Sequence, residues 1–220
     1  MHMRKNLILF GPPGAGKGTF SGQILKILPD IVHISTGDLF RYNLKNNTPI
    51  GLKAKEYMDK GALVPDEVVI EMVRDKLNTE EVKNNGYILD GFPRTLKQAE
   101  SLSKMTEVDL LLLLEVSRDT IIKRILGRFG CKECGTIYNK WTLPPKEKIG
   151  DDKWKCDKCG TEIVFEQRAD DNEDTLNNRL DVYEENAKPL LEYYKAITKK
   201  VDAENTLKMT DDEIKKALDI

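Results

Sequence analysis

Apolar and polar positions change period several times along the chain, and the changes separate strands from helices. Asn6 to Phe10 is a short apolar run that stops at Gly11-Pro12-Pro13, the pattern of a strand buried on both faces. From Thr19 to Leu28 apolar residues recur with helical spacing, until Pro29 ends the helix. The strand pattern returns at Ile31–Ile34, Tyr87–Leu89 and Leu110–Val116, with helical spacing between them at Val68–Leu77 and Leu96–Lys104. Such alternation predicts an α/β fold, a doubly wound parallel sheet flanked by helices. Gly130 to about Phe165 departs from it: Pro144-Pro145, both tryptophans and all four cysteines fall there, with no helical period. That stretch reads as an insertion too small and polar to build its own core. Helical spacing resumes at Asp174 and runs to about Lys199, followed by a last strand and a terminal helix near Asp211–Leu218.

Size and charge narrow the classes. A chain of 220 residues suits one well-cored domain with small insertions, and 40% apolar with 33% charged residues is an ordinary globular composition. The longest apolar run, Leu110–Leu114, is far too short to span a bilayer. Leu7–Phe10 runs into Gly11-Pro12 and is no secretory core, so a cytoplasmic location is expected. Met1 and His2, ahead of a second methionine, read as appended residues. A net charge of −2 argues against a protein that tracks nucleic-acid phosphates. Any phosphate chemistry must rest on a few placed cations.

Those cations are recognisable. Gly11-Pro-Pro-Gly14-Ala15-Gly16-Lys17-Gly18-Thr19 follows a predicted strand and opens a predicted helix. Backbone N–H groups of such a loop converge on phosphate oxygens, the helix N-terminus adds its dipole, and Lys17 reaches the β- and γ-phosphates. The usual Ser or Thr directly after the lysine is displaced by Gly18, so magnesium is expected to be held by phosphates and water, with acidic side chains behind. Two further motifs sit at predicted carboxyl ends of strands, where open α/β sheets bind ligands: Ser35-Thr36-Gly37-Asp38-Leu39-Phe40-Arg41, and Leu89-Asp90-Gly91-Phe92-Pro93-Arg94-Thr95 with Gln98 beyond. Arg41 and Arg94 suit a phosphate-bearing acceptor, because the guanidinium fork binds phosphate bidentately.

With these three motifs the sequence closely resembles adenylate kinases over essentially its whole length, in the longer form with a metal-bearing lid. The resemblance implies a P-loop kinase sheet with a core of 1–34, 65–128 and 166–220, a small helical AMP-binding insertion at 35–64 and a zinc-ribbon-like lid at 129–165. It implies transfer of a phosphoryl group from MgATP to AMP, giving two ADP, in a chain that is usually a monomer. It places Gly14, Ala15, Gly16, Lys17, Gly18 and Thr19 on ATP. On AMP it places Thr36, Arg41, Ala62, Leu63, Val64, Gly91, Phe92, Pro93, Arg94 and Gln98, with Thr36 and Gln98 reading the adenine. Asp90 is expected to orient water around magnesium. Arg124, Arg128, Arg168 and Arg179 converge on the donor and transferring phosphates, Arg168 and Arg179 also touching AMP; Lys17, Arg94, Arg128, Arg168 and Arg179 form the expected catalytic set. Ile137 and Tyr138 match lid positions that touch ATP, Asp170 and Asp171 match hinge acids, and Val201–Asn205 matches a loop against the ATP adenine, with alanine at 203 where the family often has glycine.

Composition supports the arginines independently. The chain has 26 lysines and nine arginines, yet six of the nine fall at 41, 94, 124, 128, 168 and 179. A solvated surface would follow the lysine preference, whereas planar bidentate recognition requires arginine. No general base is needed, since an AMP phosphate oxygen is already anionic; His33 reads as a packed strand residue. Water must be kept out to prevent hydrolysis, so a closing lid is expected.

Cys131-x-x-Cys134-Gly135 and Cys156-x-x-Cys159-Gly160 are separated by 21 residues between Cys134 and Cys156. Two such knuckles match a four-thiolate zinc site, structural because four protein ligands leave no open position. The glycines are expected to turn their N–H groups toward sulfur. Rival readings are a kinase for UMP or CMP, a plain ATPase, and a zinc-ribbon nucleic-acid module using Lys140, Trp141, Trp154 and Lys155.

Overall fold

The computed structural model describes residues 4–168 and 170–220; Met1 and His2 lie outside the described residues. Five strands form a parallel sheet: β1 (Lys5–Phe10), β2 (Val32–Ser35), β3 (Gly86–Asp90), β4 (Leu110–Glu115) and, last in sequence, β10 (Thr198–Asp202). Their spatial order is β10-β4-β1-β3-β2, with β1 central. The chain leaves β1 for the β2 edge and later crosses to β4, so the winding reverses beside β1, the position where open α/β sheets bind ligands.

Strict alternation along each strand sorts side chains to the two faces. Ile8, Phe10, Leu89, Leu111 and Leu113 enter one buried cluster, while Leu7, Leu9, Ile88, Leu110, Leu112 and Leu114 enter the other. Helices cover both, and this explains why the strands read as unbroken apolar runs. The second face is covered by α1 (Lys17–Ile27) through Phe20 and Ile24 and by α9 (Asp211–Leu218) through Ile214 and Leu218. Between β2 and β3 lie α2 (Thr36–Lys45), α3 (Pro49–Asp59), α4 (Asp66–Leu77) and α5 (Glu80–Asn85). The first face is covered by α4, by α6 (Leu96–Ser103) and by the long α8 (Glu173–Tyr193). After β4, α7 (Arg118–Leu126) packs Ile121 and Ile125 against Leu176 and Leu180 of α8.

The insertion holds five short strands: β5 (Arg128–Gly130) pairs with β6 (Ile137–Asn139), and β7 (Glu147–Gly150), β8 (Lys153–Lys155) and β9 (Glu162–Val164) form a second sheet. Contrary to the sequence reading, it does have a core. Phe129 stacks with Tyr138, Trp154 and Phe165 at centroid distances of 5.9, 5.1 and 5.5 Å, beside buried Cys131, Cys156 and Ile163.

A second correction concerns the helix expected to reach Lys199. It stops at Tyr193, passes through a 3-10 turn at Lys195–Ile197 and gives way to β10. Thr198 bonds back to the Tyr194 carbonyl at 2.9 Å, and Thr198–Asp202 pairs in register with Leu111–Glu115. An edge strand keeps one side polar, so Lys199-Lys200 carried no strand signal.

Candidate active site

The P-loop turns between β1 and α1. Gly16, the N-cap of α1, is left-handed (φ 88°), and no side chain caps the helix, which leaves its first N–H groups directed at the cleft. Lys17 Nζ donates to the carbonyls of Gly11 and Pro12, both at 3.0 Å. Desolvation lowers its pKa to about 8, and Arg94, Arg179 and Arg128 add to the fall while Asp90 opposes it. Ala15 is fully buried, so its contact with a ligand runs through the backbone. Thr19 is the third residue of α1, and Gly18 lies over Asp90, whose Oδ2 would be 4.0 Å from a Cβ there. Asp90 ends β3. Burial pushes its pKa up, but His33 and Lys17 outweigh that and hold the carboxyl below its ordinary range. His33 therefore does more than pack: its Nε2 stands 3.7 Å from Asp90 Oδ2.

Gly91 bends the chain after Asp90 with φ 81°, and a Cβ there would meet Thr36 Oγ1 at 2.7 Å and Arg94 at 2.9 Å. Its carbonyl accepts from Arg94 Nε at 2.8 Å and from Thr36 Oγ1 at 3.0 Å, aiming both side chains from one point. Two cavities meet at this turn. One runs from Gly11 and Lys17 past Pro93; the other is walled by Thr36, Arg41, Ala62, Leu63, Val64 and Gln98. Gly61, Leu63, Gly91, Arg94 and Arg179 line both. Phe92 takes no part in either: its side chain is buried in the core, so any contact it makes with a ligand is through the backbone. Pro93 lines the first cavity.

The remaining arginines converge from α2, α7, β5 and α8. Arg41 NH2 donates to Asp38 at 2.6 Å. Arg128 forks onto Asp171, with Nε 2.7 Å from Oδ2 and NH2 on Oδ1, and Asp171 is fully buried. Arg179 NH1 donates to Asp170 Oδ2 at 3.3 Å and lies 3.7 Å from Asp171 Oδ1. Arg168 is drawn down to about 10 by burial and then by Arg128 and Arg41; Arg179 falls to about 10 by burial, with Arg94 and Arg128 contributing. Like charges this close favour an anion among them. Arg124 has a different task. It donates to the carbonyls of Ala15 (3.1 Å), Ala203 (2.7 Å) and Glu204 (3.0 Å), tying the P-loop to the last loop. Ala203 is fully buried and is not among the described residues with positive φ, so its backbone does not require glycine. Asn205 precedes the 3-10 turn Thr206–Lys208, outside both cavities.

In the insertion the four Sγ atoms lie within 4.8 Å of one another, and the Cys131–Cys159 and Cys134–Cys156 pairs are 3.5 Å apart. A tetrahedral metal with bonds of about 2.3 Å has ligand edges of about 3.8 Å, so the donor set fits zinc. The glycines act differently from the expectation: Gly135 and Gly160 N–H donate to the carbonyls of Cys131 and Cys156, both at 2.9 Å, and Glu133, Cys134, Lys158 and Cys159 supply the amides facing sulfur. Tyr138 is turned into the core, its hydroxyl 3.3 Å from Cys156 Sγ and accepting from Asp157 N at 2.8 Å, whereas Ile137 beside it is exposed. Tyr138 can therefore meet a nucleotide only through its backbone. Of the residues the nucleic-acid reading relied on, Trp154 is buried and Trp141 is exposed, while Lys140 pairs with Asp152 at 2.7 Å and Lys155 with Glu147 at 3.6 Å.

Sequence reasoning missed two anchors. Asp66, the first residue of α4, accepts from Thr95 Oγ1 and Gln98 Nε2. Glu204 accepts from Ser117 N and from Thr120 Oγ1 (2.7 Å), holding the start of α7. Neither carries a local signal, because each partner lies far away in sequence.

The sequence model of the family described as Adenylate kinase matches residues 9–199. Proteins named adenylate kinase are 49% identical in Clostridium tetani, over 86% of each chain, and 50% identical in Caldicellulosiruptor bescii, again over 86% of each. The relative of that name from Carboxydothermus hydrogenoformans is 46% identical over 96% of this chain and 98% of its own. A match this long, on a cleft whose two cavities meet at shared arginines, makes the chain a member of the adenylate kinase family.

Proposed function

We infer that the chain is a phosphotransferase catalysing ATP + AMP = 2 ADP. The observation that carries this is the shared wall: Lys17 lines one cavity, Thr36, Arg41 and Gln98 line the other, and Arg94 and Arg179 line both, so a donor phosphate on the lysine and an acceptor in the second cavity would reach the same two guanidinium groups. An AMP phosphate oxygen attacks the γ-phosphorus of ATP in line; that P–O bond forms while the bond to the β-phosphate oxygen breaks and its electrons leave with ADP. No proton need move. Lys17 and the P-loop amides hold the donor phosphates, Arg41 and Arg94 fix the acceptor phosphate, and Arg128, Arg168 and Arg179 neutralise charge on the equatorial oxygens. Thr36 and Gln98 contact the adenine of AMP, and Arg124 steadies the loop that borders the ATP adenine. Magnesium, when bound, would withdraw charge from the phosphates, and Asp90, held anionic beside Gly18, would orient its water.

The insertion serves as a zinc-held lid over residues 129–165, and the α2–α3 pair forms the acceptor-binding arm at 35–64. Both move as units on a core of 1–34, 65–128 and 166–220, excluding water when nucleotides bind. Four free thiolate ligands suit a reducing, cytoplasmic compartment. One chain supplies all the arginines, which suits a monomer.

Phosphorus NMR of MgATP mixed with AMP tests the stoichiometry. Two ADP should appear for each AMP lost; accumulation of inorganic phosphate instead would contradict the inference.

A further inference from the structure

We propose that Asp66 is a positioning residue that fixes the orientation of the Gln98 amide and so selects a 6-amino over a 6-oxo purine in the acceptor. This rests on the reading that Gln98 contacts the acceptor base. Gln98 is 1% exposed at the wall of the second cavity. Its Oε1 accepts from the Arg94 backbone N–H at 2.7 Å, and its Nε2 donates to Asp66 Oδ1 at 2.8 Å. A backbone N–H can only donate and a carboxylate can only accept, so the two partners fix which end of the amide is oxygen. Reversing it would set NH2 against N–H and carbonyl oxygen against carboxylate. One N–H and one lone pair remain for the base.

Adenine offers a donor at its 6-amino group beside ring acceptors, and a glutamine amide pairs with that edge bidentately. A 6-oxo purine carries an acceptor at the same place and needs the reversed amide. Thr36 points the same way: its hydroxyl hydrogen is donated to the Gly91 carbonyl, leaving lone pairs that accept from an amino group but repel an oxo group. Asp66 is itself held. Thr95 Oγ1 lies 3.1 Å from both of its oxygens and accepts from Gln98 N at 3.2 Å, closing a ring between the starts of α4 and α6. Lys97 and Glu67 pair beside it across the same two helices.

Steady-state kinetics with AMP and IMP on D66N, Q98A and the double variant test the proposal. D66N should raise KM for AMP about three- to tenfold while kcat and KM for ATP stay within about twofold. It should also narrow the AMP-to-IMP preference by about tenfold, and do nothing further in the Q98A background. An undiminished D66N effect in the Q98A background, or an unchanged AMP-to-IMP ratio, overturns the proposal. If Q98A alone leaves AMP use unchanged, the contact of Gln98 with the base is wrong, and the proposal falls with it while the kinase reaction stands. A measurement on the unaltered protein guards against misfolding of the variants: NMR of the Gln98 side-chain amide should show one proton shifted downfield and slow to exchange, and two ordinary amide protons would refute the Asp66 bond.

Discussion

Lys17 donates to two P-loop carbonyls, and desolvation together with three nearby arginines holds its ammonium at about 8 instead of 10.5. A phosphate brought to this lysine stabilises the charged form and draws a proton in. The sign follows: below about pH 8 the lysine is already charged and ATP affinity is flat, whereas above it affinity falls by up to about tenfold per pH unit as binding must recharge it. Calorimetry of ATP binding at pH 9 in buffers of different ionisation enthalpy should show proton uptake, absent in Lys17→Met. Uptake that persists in the variant would place the titrating group elsewhere. The arginines were legible as residues, because a lysine-rich chain reserves guanidinium for positions where a planar fork matters. The long-range pairings of the site were not. Asp171 meets Arg128 from 43 residues away and Asp66 meets Gln98 from 32, separations that only the fold brings together.

At the scale of elements, β1, β3 and β4 were legible because helices on both faces demand unbroken apolar runs, and α1 because its period ends at a proline. For β10 the strand was expected but its start was not, since Lys199 and Lys200 lie at the sheet edge and break the apolar run. Tight packing inside the α2–α3 pair was equally silent in sequence. A Cβ on Gly51 would come within 2.4 Å of the Asn43 and Leu44 backbone, so Gly51→Ala must push the helices apart at a cost of about 1–3 kcal/mol. Thr36 and Arg41 ride on α2, and KM for AMP should rise several-fold while KM for ATP holds. Equal rises in both would show that α2 and α3 do not act as a separate arm. The lid obeys a different balance. Its aromatic cluster would hold it together beside the proposed zinc, so chelation should loosen it without full unfolding. Near-ultraviolet dichroism of the Trp154 environment should melt at lower temperature after chelation, and far-ultraviolet dichroism of the sheet and helices should keep its transition. One merged transition at the original temperature would remove the structural role of zinc.

At the scale of the molecule, the parallel sheet delivers the P-loop, the Thr36–Arg41 segment and the Asp90–Arg94 turn to one end, because β1, β2 and β3 all end there. The two cavities then share Arg94 and Arg179, the two guanidinium groups on which the proposed transfer rests. The most direct test is ADP formation from MgATP with AMP, UMP, CMP, GMP or no acceptor, measured in parallel. Rapid turnover with AMP alone is the predicted result; preference for UMP or CMP would overturn the acceptor, and ATP loss that ignores the acceptor would contradict the transfer itself.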